Sequence, residues 1–387
     1  MVDEQTRGLG TPTRRQFLGM GGMALGGMAL AACGAGSGTA TTAAPATTAA
    51  PAPATTAGSA IPTTTKSAVT VGYNNPNRLL RSPLYVGQTL GFFEEVGITD
   101  LTINDADDPV PPTLSGDYDI ALFDSDVYFD AMEKGVLDGG SRMVAVNLGA
   151  QPLILIANEG VTAENLAGKT VGGGREGQVN EAICKYMLGE LGLDWETDVN
   201  FVSLTGGSND WVQAMLTGQI DATIAFSRHV PLAEADGGSA LFSDFFNAPQ
   251  GGFVMTADKM AEDEGFAAAW CYAYIQAHRW VKTRDNFDEL VRILSEEHGI
   301  DLPDAFFDPN VYEIDATILS QDLGFDPAEM DTWMDFVAPF GNVPADINDR
   351  WRNYVDVSGL HVAQEALGLP ANPAADLSSG KELIANF

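Results

Sequence analysis

Short apolar runs alternate with amphipathic stretches over most of residues 68–257. Val69–Tyr73, Leu101–Asn104, Ile120–Phe123, Thr170–Gly174 and Phe201–Leu204 are brief and apolar, the pattern of strands buried on both faces. Between them, Pro83–Val96, Val127–Gly135, Val179–Leu191 and Asp210–Leu216 repeat apolar residues every three or four positions and predict helices. Strand and helix in alternation predict an α/β fold, with parallel strands and helices packed on them.

One phrase occurs twice. Leu114-Ser115-Gly116-Asp117-Tyr118-Asp119-Ile120 and Leu216-Thr217-Gly218-Gln219-Ile220-Asp221-Ala222 stand 102 residues apart with Leu, Gly and Asp in register. In each, Gly suits a left-handed helix end and Asp opens an apolar run, so the phrase predicts a helix-to-strand joint. The strands Val69–Tyr73 and Thr170–Gly174 precede the two joints at similar distances, and two α/β units of like design laid end to end follow from this.

Two apolar runs break the alternation, Gln151–Ala157 and Gly251–Ala257. If both cross between lobes, the second unit is inserted in the first, giving lobe 1 as 68–152 with 257–387 and lobe 2 as 153–256. Two crossing strands restrict the lobes to bending about them, which makes a hinge. Beyond 258 the chain reads as helical, and Phe266, Trp270, Ala273, Ala277 and Trp280 form a stripe expected in the core.

The first sixty-odd residues belong to neither unit. Thr13-Arg14-Arg15-Gln16-Phe17-Leu18 is a twin-arginine export signature, followed by a short Gly-rich apolar stretch that is no spanning helix. Leu30-Ala31-Ala32-Cys33 resembles a lipoprotein box, so residues 1–32 are expected to be a signal peptide and Cys33 the lipidated first residue. Residues 33–67, rich in Ala, Thr and Pro, read as a flexible tether. The formal charge of −33 grows by one unit once residues 1–32 are removed, because they hold three Arg and two acids. Such a surface repels nucleic acid and anionic headgroups, which leaves the lipid as the membrane anchor. Cys184 and Cys271 lie among apolar residues and read as small hydrophobes. The four His have no ligand spacing, so no metal and no cofactor is expected.

In open α/β sheets, ligands sit beyond the carboxyl ends of the strands. That rule nominates Asn74, Asn75, Asn77 and Arg78 after the first strand, and Phe123, Asp124, Ser125 and Asp126 at the end of the third. From the second unit it nominates Gly174, Arg175, Glu176 and Gln178, then Ser208, Asn209 and Trp211, then Phe226, Arg228 and His229. Each has a structural alternative: the Asn residues shape turns, Asp124 or Asp126 caps a helix, and Trp211 and Phe226 fill the core. The Gly172–Gly177 loop lacks the Gly-Lys-Ser/Thr of a P-loop.

A lipoprotein start, a Thr/Ala/Pro tether, a helix carrying Pro83, Tyr85 and Gly91-Phe92-Phe93, the doubled joint and a closing helix at Val355–Leu369 together resemble the SsuA/THI5-like (NMT1-like) solute-binding proteins of ABC importers. The resemblance spans about 68–369. It implies a two-lobed type II periplasmic-binding-protein fold and a monomer lipid-anchored outside the cell membrane. It also implies capture of a small molecule without chemistry, and delivery to a permease with its ATPase. Tyr85 matches the family's aromatic near the start of the first helix. Family ligands include sulfonates, taurine, nitrate, thiamine pyrimidine precursors and riboflavin. A carboxylate a few ångströms away costs a bound anion on the order of 1 to 4 kcal/mol. Asp124 and Asp126 therefore favour a neutral or cationic ring or amine, stacked on Tyr85, Phe123 or Trp211, whereas Arg78, Arg175 and Arg228 favour an anion. A ligand-sensing lipoprotein shares every feature. A pyrimidine-precursor synthase is disfavoured, because the Cys-rich motif and reactive His of such relatives are lacking.

Overall fold

The computed structural model describes residues 60–73, 77–105 and 108–385. The export signature, Cys33, most of the tether, Asn74 and Asn75 lie outside them. Eight strands form one mixed sheet: β1 (Ala68–Tyr73), β2 (Asp100–Asp105), β3 (Ile120–Asp124), β4 (Arg142–Ala157), β5 (Thr170–Gly172), β6 (Asn200–Val202), β7 (Ala222–Ala225) and β8 (Ser239–Met255). Their order is β2-β1-β3-β8-β4-β7-β5-β6. The outer groups β2-β1-β3 and β6-β5-β7 are both parallel and share one internal order, so the repeated sequence phrase is a repeated topology.

Between the groups runs the long antiparallel pair of β4 and β8. β8 meets β3 through Gly251–Val254, and β4 meets β7 through Ile154–Ala157. β8 thus borders the first group and β4 the second, and the two groups are joined through the β4–β8 ladder, with register breaks in β4 between Met143 and Ala150. The runs Gln151–Ala157 and Gly251–Met255 are therefore the ends of longer strands. Arg142–Ala150 and Ser239–Gln250 carry Asn, Gly, Asp and Pro, poor strand formers that are held here by each other's ladder.

Both joints behave alike. Gly116 and Gly218 have φ of 79° and 72°, the left-handed conformation that ends a helix. The carboxylates of Asp119 and Asp221 then accept from the Thr70 and Thr170 amides, each at 2.8 Å, pinning each joint to the neighbouring strand.

Helix α1 (Arg78–Thr89) begins five residues before the predicted start, because Asn77 caps it by accepting from Leu79 N at 2.9 Å. Pro83 is thereby interior, and the Leu79 carbonyl that it deprives of a backbone donor accepts instead from Ser82 Oγ at 2.7 Å. Helices α2 (Ser125–Glu133), α3 (Val179–Glu190) and α4 (Ser208–Leu216) follow β3, β5 and β6. Beyond Met255 come α5 (Phe266–Lys282), α6 (Pro309–Ile318), α7 (Pro327–Val337) and α8 (Ser358–Ala366). The α5 stripe is core: Trp270 is buried against Phe93, Phe253 and Tyr274. Cys184 and Cys271 are buried and free.

The last residues of the stretch read as tether are held on the body. The Asp263 carboxylate accepts from Thr64 Oγ1, Thr65 N and Thr65 Oγ1 at 2.7–2.8 Å, and Lys66 pairs with Asp119 and Glu262. The expected tether to residue 67 is thus corrected over its last residues, which are fixed because the Thr hydroxyls find a carboxylate to bond.

Candidate functional site

A cavity of about 230 Å³ opens at the carboxyl ends of β3, β5, β6 and β7. One side supplies Asn77, Leu80 and Asp124; the other supplies Arg175, Gln178, Asn180, Gly206, Gly207, Ser208, Trp211, Phe226 and Arg228. The crossing strands give Leu148, Gln151, Pro152 and Gln250, and α6 gives Ile318. Asn77, Asp124, Arg175, Gln178, Ser208, Trp211, Phe226 and Arg228, nominated from the sequence, thus meet around one space.

Local geometry sets them there. Gly174 has φ +84°, and a Cβ on it would lie 3.2 Å from the Trp211 ring, so glycine lets the indole close on the loop. Trp211 is buried, yet its Nε1 has no partner among the described residues. Arg175 Nε donates to the Gly206 carbonyl at 2.7 Å. Arg228 Nη2 donates to Ser208 Oγ at 2.9 Å, with its guanidinium 4.9 Å from the Phe226 ring centre. Both cations therefore stand beside the start of α4. Burial lowers the Arg228 pKa, and the nearby Asp315 carboxylate opposes the shift. Gln151 is 1% exposed; its Nε2 donates to the Pro152 carbonyl at 2.9 Å, and its Oε1 has no partner among the described residues.

Other nominees fall elsewhere. Arg78, Asn209 and His229 line an adjoining cavity of about 600 Å³, walled also by Val212, Phe306, Val311 and Asp315; Asn77 and Arg228 face both spaces. His229 is a strut there: Nδ1 accepts from Phe226 N at 3.1 Å and Nε2 lies 2.9 Å from Asn209 Oδ1. Burial, helped by the Arg228 charge, pushes its pKa down to about 2 and keeps the ring neutral.

Tyr85 lines neither cavity, because α1 turns it toward His298 (4.9 Å between ring centres) and Arg81. Phe123 is fully buried against Tyr128, since strand alternation points it into the core. The expected stacking on Tyr85 or Phe123 is corrected accordingly, which leaves Trp211 and Phe226 as the cavity's aromatics. Ser125 Oγ accepts from Trp333 Nε1 at 3.1 Å, and Asp126 is buried with Asn342 Nδ2 at 3.4 Å, so both serve packing against the region of α7. Glu176 is exposed and lines neither cavity.

Gln151, Asn180 and Gln250 escaped the sequence reading. The signal for two of them was there: Gln151-Pro152 and Pro249-Gln250 interrupt apolar runs with an amide, an unusual choice for buried strands.

This topology is the periplasmic-binding-protein fold. The structure of the periplasmic nitrate-binding protein NrtA from Synechocystis PCC 6803 superposes with a TM-score of 0.62 at 16% identity, covering 81% of this chain and 92% of that one. Residues 81–259 match the family model described as NMT1/THI5 like, and the chain carries an NMT1/THI5-like domain. Among curated relatives, "Putative binding protein YtlA" of Bacillus subtilis is 23% identical over 268 residues, 62% of this chain and 79% of its own. A Haemophilus influenzae protein named "Putative thiamine biosynthesis protein" is 26% identical over 223 residues, 55% of this chain and 68% of its own.

Proposed function

We propose that the protein is an extracytoplasmic solute-binding lipoprotein, exported through its twin-arginine signal, anchored through Cys33, and delivering a small organic molecule to an ABC permease. It binds without chemistry. Two lobes, 68–152 with 257–387 and 153–256, close on the solute by bending at β4 and β8, within a few residues of those boundaries. The observation that carries this reading is the cavity itself, assembled from strand-end loops of both repeated units and from the two strands that join them. The names of YtlA and NrtA point the same way.

For the ligand, a single hydrogen-bonding ring with N–H donors is favoured, such as a thiamine pyrimidine precursor. A volume of about 230 Å³ lies below the usual range of ligand pockets, roughly 300–1,000 Å³, and suits one ring better than a three-ring flavin. Trp211 and Phe226 offer stacking faces, Asp124 adds a carboxylate to the lining, and Gln151 Oε1, without a partner among the described residues, calls for a donor. The Haemophilus relative's name supports this choice. A second reading, an anion such as a sulfonate or nitrate, is favoured by Arg175 and Arg228 standing together. Native mass spectrometry of molecules retained by the purified protein, with a thermal-shift panel of aminopyrimidines, taurine and nitrate, separates the two. Stabilisation by taurine or nitrate alone ends the ring reading, and retention of no small molecule counts against solute binding.

A further inference from the structure

The C-terminal helical segment meets the second lobe at several places, among them Glu329 with Asn247 Nδ2 at 2.8 Å and Phe336 against Tyr186, and at two of them a buried polar side chain reaches a loop beside the cavity. On one flank stands Asp315 of α6, 4% exposed. Its Oδ2 accepts from Asn77 Nδ2 at 2.7 Å within the first lobe, and its Oδ1 accepts from Ser227 Oγ at 2.5 Å, in the turn after β7 of the second. On the other flank Asn342, just beyond α7, donates through Nδ2 to the Gly177 carbonyl in the loop after β5 at 3.0 Å, and to Asp126 Oδ2 at 3.4 Å.

Both bridges land beside residues that face the cavity. Ser227 lies between Phe226 and Arg228, and Gly177 immediately precedes Gln178. Asp315, Asn342, Ser227 and Gly177 all lie outside that cavity, although Asp315 lines the adjoining one and its partner Asn77 faces both. Of the six residues in these bridges, all but Gly177 keep less than a tenth of their surface exposed, and there a polar pair strongly favours the arrangement that satisfies it.

We infer that Asp315 and Asn342 form a two-sided clasp that regulates closure of the cleft by drawing the loops around Ser227 and Gly177 onto the first lobe. This rests on the proposed closure of two lobes over a solute. The clasp biases the cleft toward the closed arrangement before any ligand arrives, so a ligand need supply only part of the preference for it. Opening must then break both bridges and hydrate a buried carboxylate.

The test needs no ligand. In the full chain carrying Cys33→Ala, spin labels at Lys134→Cys on the first lobe and Glu190→Cys on the second report the separation by pulsed electron–electron resonance. Both positions are exposed, whereas Cys184 and Cys271 are buried. Ser227→Ala removes one hydroxyl and Asn342→Ala one amide, so circular dichroism should match the parent. Each is expected to raise the share of a longer distance, with the open-to-closed ratio growing about tenfold in the double variant. Distributions that superimpose on the parent's in all three variants overturn the clasp. Native mass spectrometry of the same samples keeps the two ideas apart. A small molecule retained by the parent leaves solute binding standing even if the clasp fails; an empty parent with one invariant distance removes both.

Discussion

The carboxylate of Asp221 accepts from the Thr170 amide at 2.8 Å while the Asp221 amide donates to the Thr170 carbonyl at 2.9 Å. Asp119 and Thr70 make the same reciprocal pair at 2.8 Å in both bonds. A joint that must turn from helix to buried strand leaves an amide near the start of the neighbouring strand to be satisfied, and the Asp side chain accepts from it. Asp221→Ala should therefore cost about 1–3 kcal/mol in urea unfolding. Asp119→Ala should cost at least as much, because its carboxylate also holds Lys66 and Lys259 at 3.0 Å. A loss under about 0.5 kcal/mol in both would show that the repeated Asp is incidental.

Gly174 and Trp211 make a second, sharper case. Alanine at 174 would have to hold φ near +84° and place a methyl 3.2 Å from the indole. Strain and crowding together predict a loss of about 1–3 kcal/mol and a displaced Trp211. Stability by urea and the fluorescence of a variant in which Trp211 is the only altered indole, Trp211→Phe, subtracted from the parent, check both parts.

Part of the pH dependence of stability should trace to Asp126. Burial, reinforced by the Asp124 charge, raises its pKa to about 7. A carboxyl whose folded pKa lies above its unfolded value binds more protons when folded, so its contribution favours the fold below about pH 4 and is progressively lost as pH rises toward 7. Asp126→Asn should thus stabilise the protein at pH 8, on the order of 2 kcal/mol. It should leave stability at pH 4 nearly unchanged and flatten the slope between. Parallel parent and variant curves across pH 4–8 would place the titration elsewhere.

What the sequence made legible follows from which forces are local. The joints, β1, β3 and the α5 stripe were readable because Gly and apolar period act within a few residues, and the strand-end rule then brought eight nominated residues to one cavity. The ring positions Tyr85 and Phe123 failed because their direction depends on helix phase and strand parity, which a single residue at the end of an element fixes. Most of β8 and the first half of β4 were hidden because their residues become strand only by pairing with each other, about a hundred positions away. Asp315 was invisible for the same reason: nothing near it in sequence announces that Asn77 and Ser227 will arrive.

Gln151 offers the most direct separation of binding from folding. Its Oε1 is buried and has no partner among the described residues, a cost that a bound donor would relieve. Gln151→Met keeps the length of the side chain and removes that orphan acceptor, while giving up the 2.9 Å bond to the Pro152 carbonyl. The two effects nearly cancel, so ligand-free stability should change by no more than about 1 kcal/mol in either direction. Retention of the co-purifying molecule should nevertheless fall about tenfold or more by native mass spectrometry, because the loss of a buried hydrogen bond to the ligand has no compensation there. A variant that retains the molecule as the parent does would remove Gln151 from the site and weaken the preference for a donor-bearing ring over an anion.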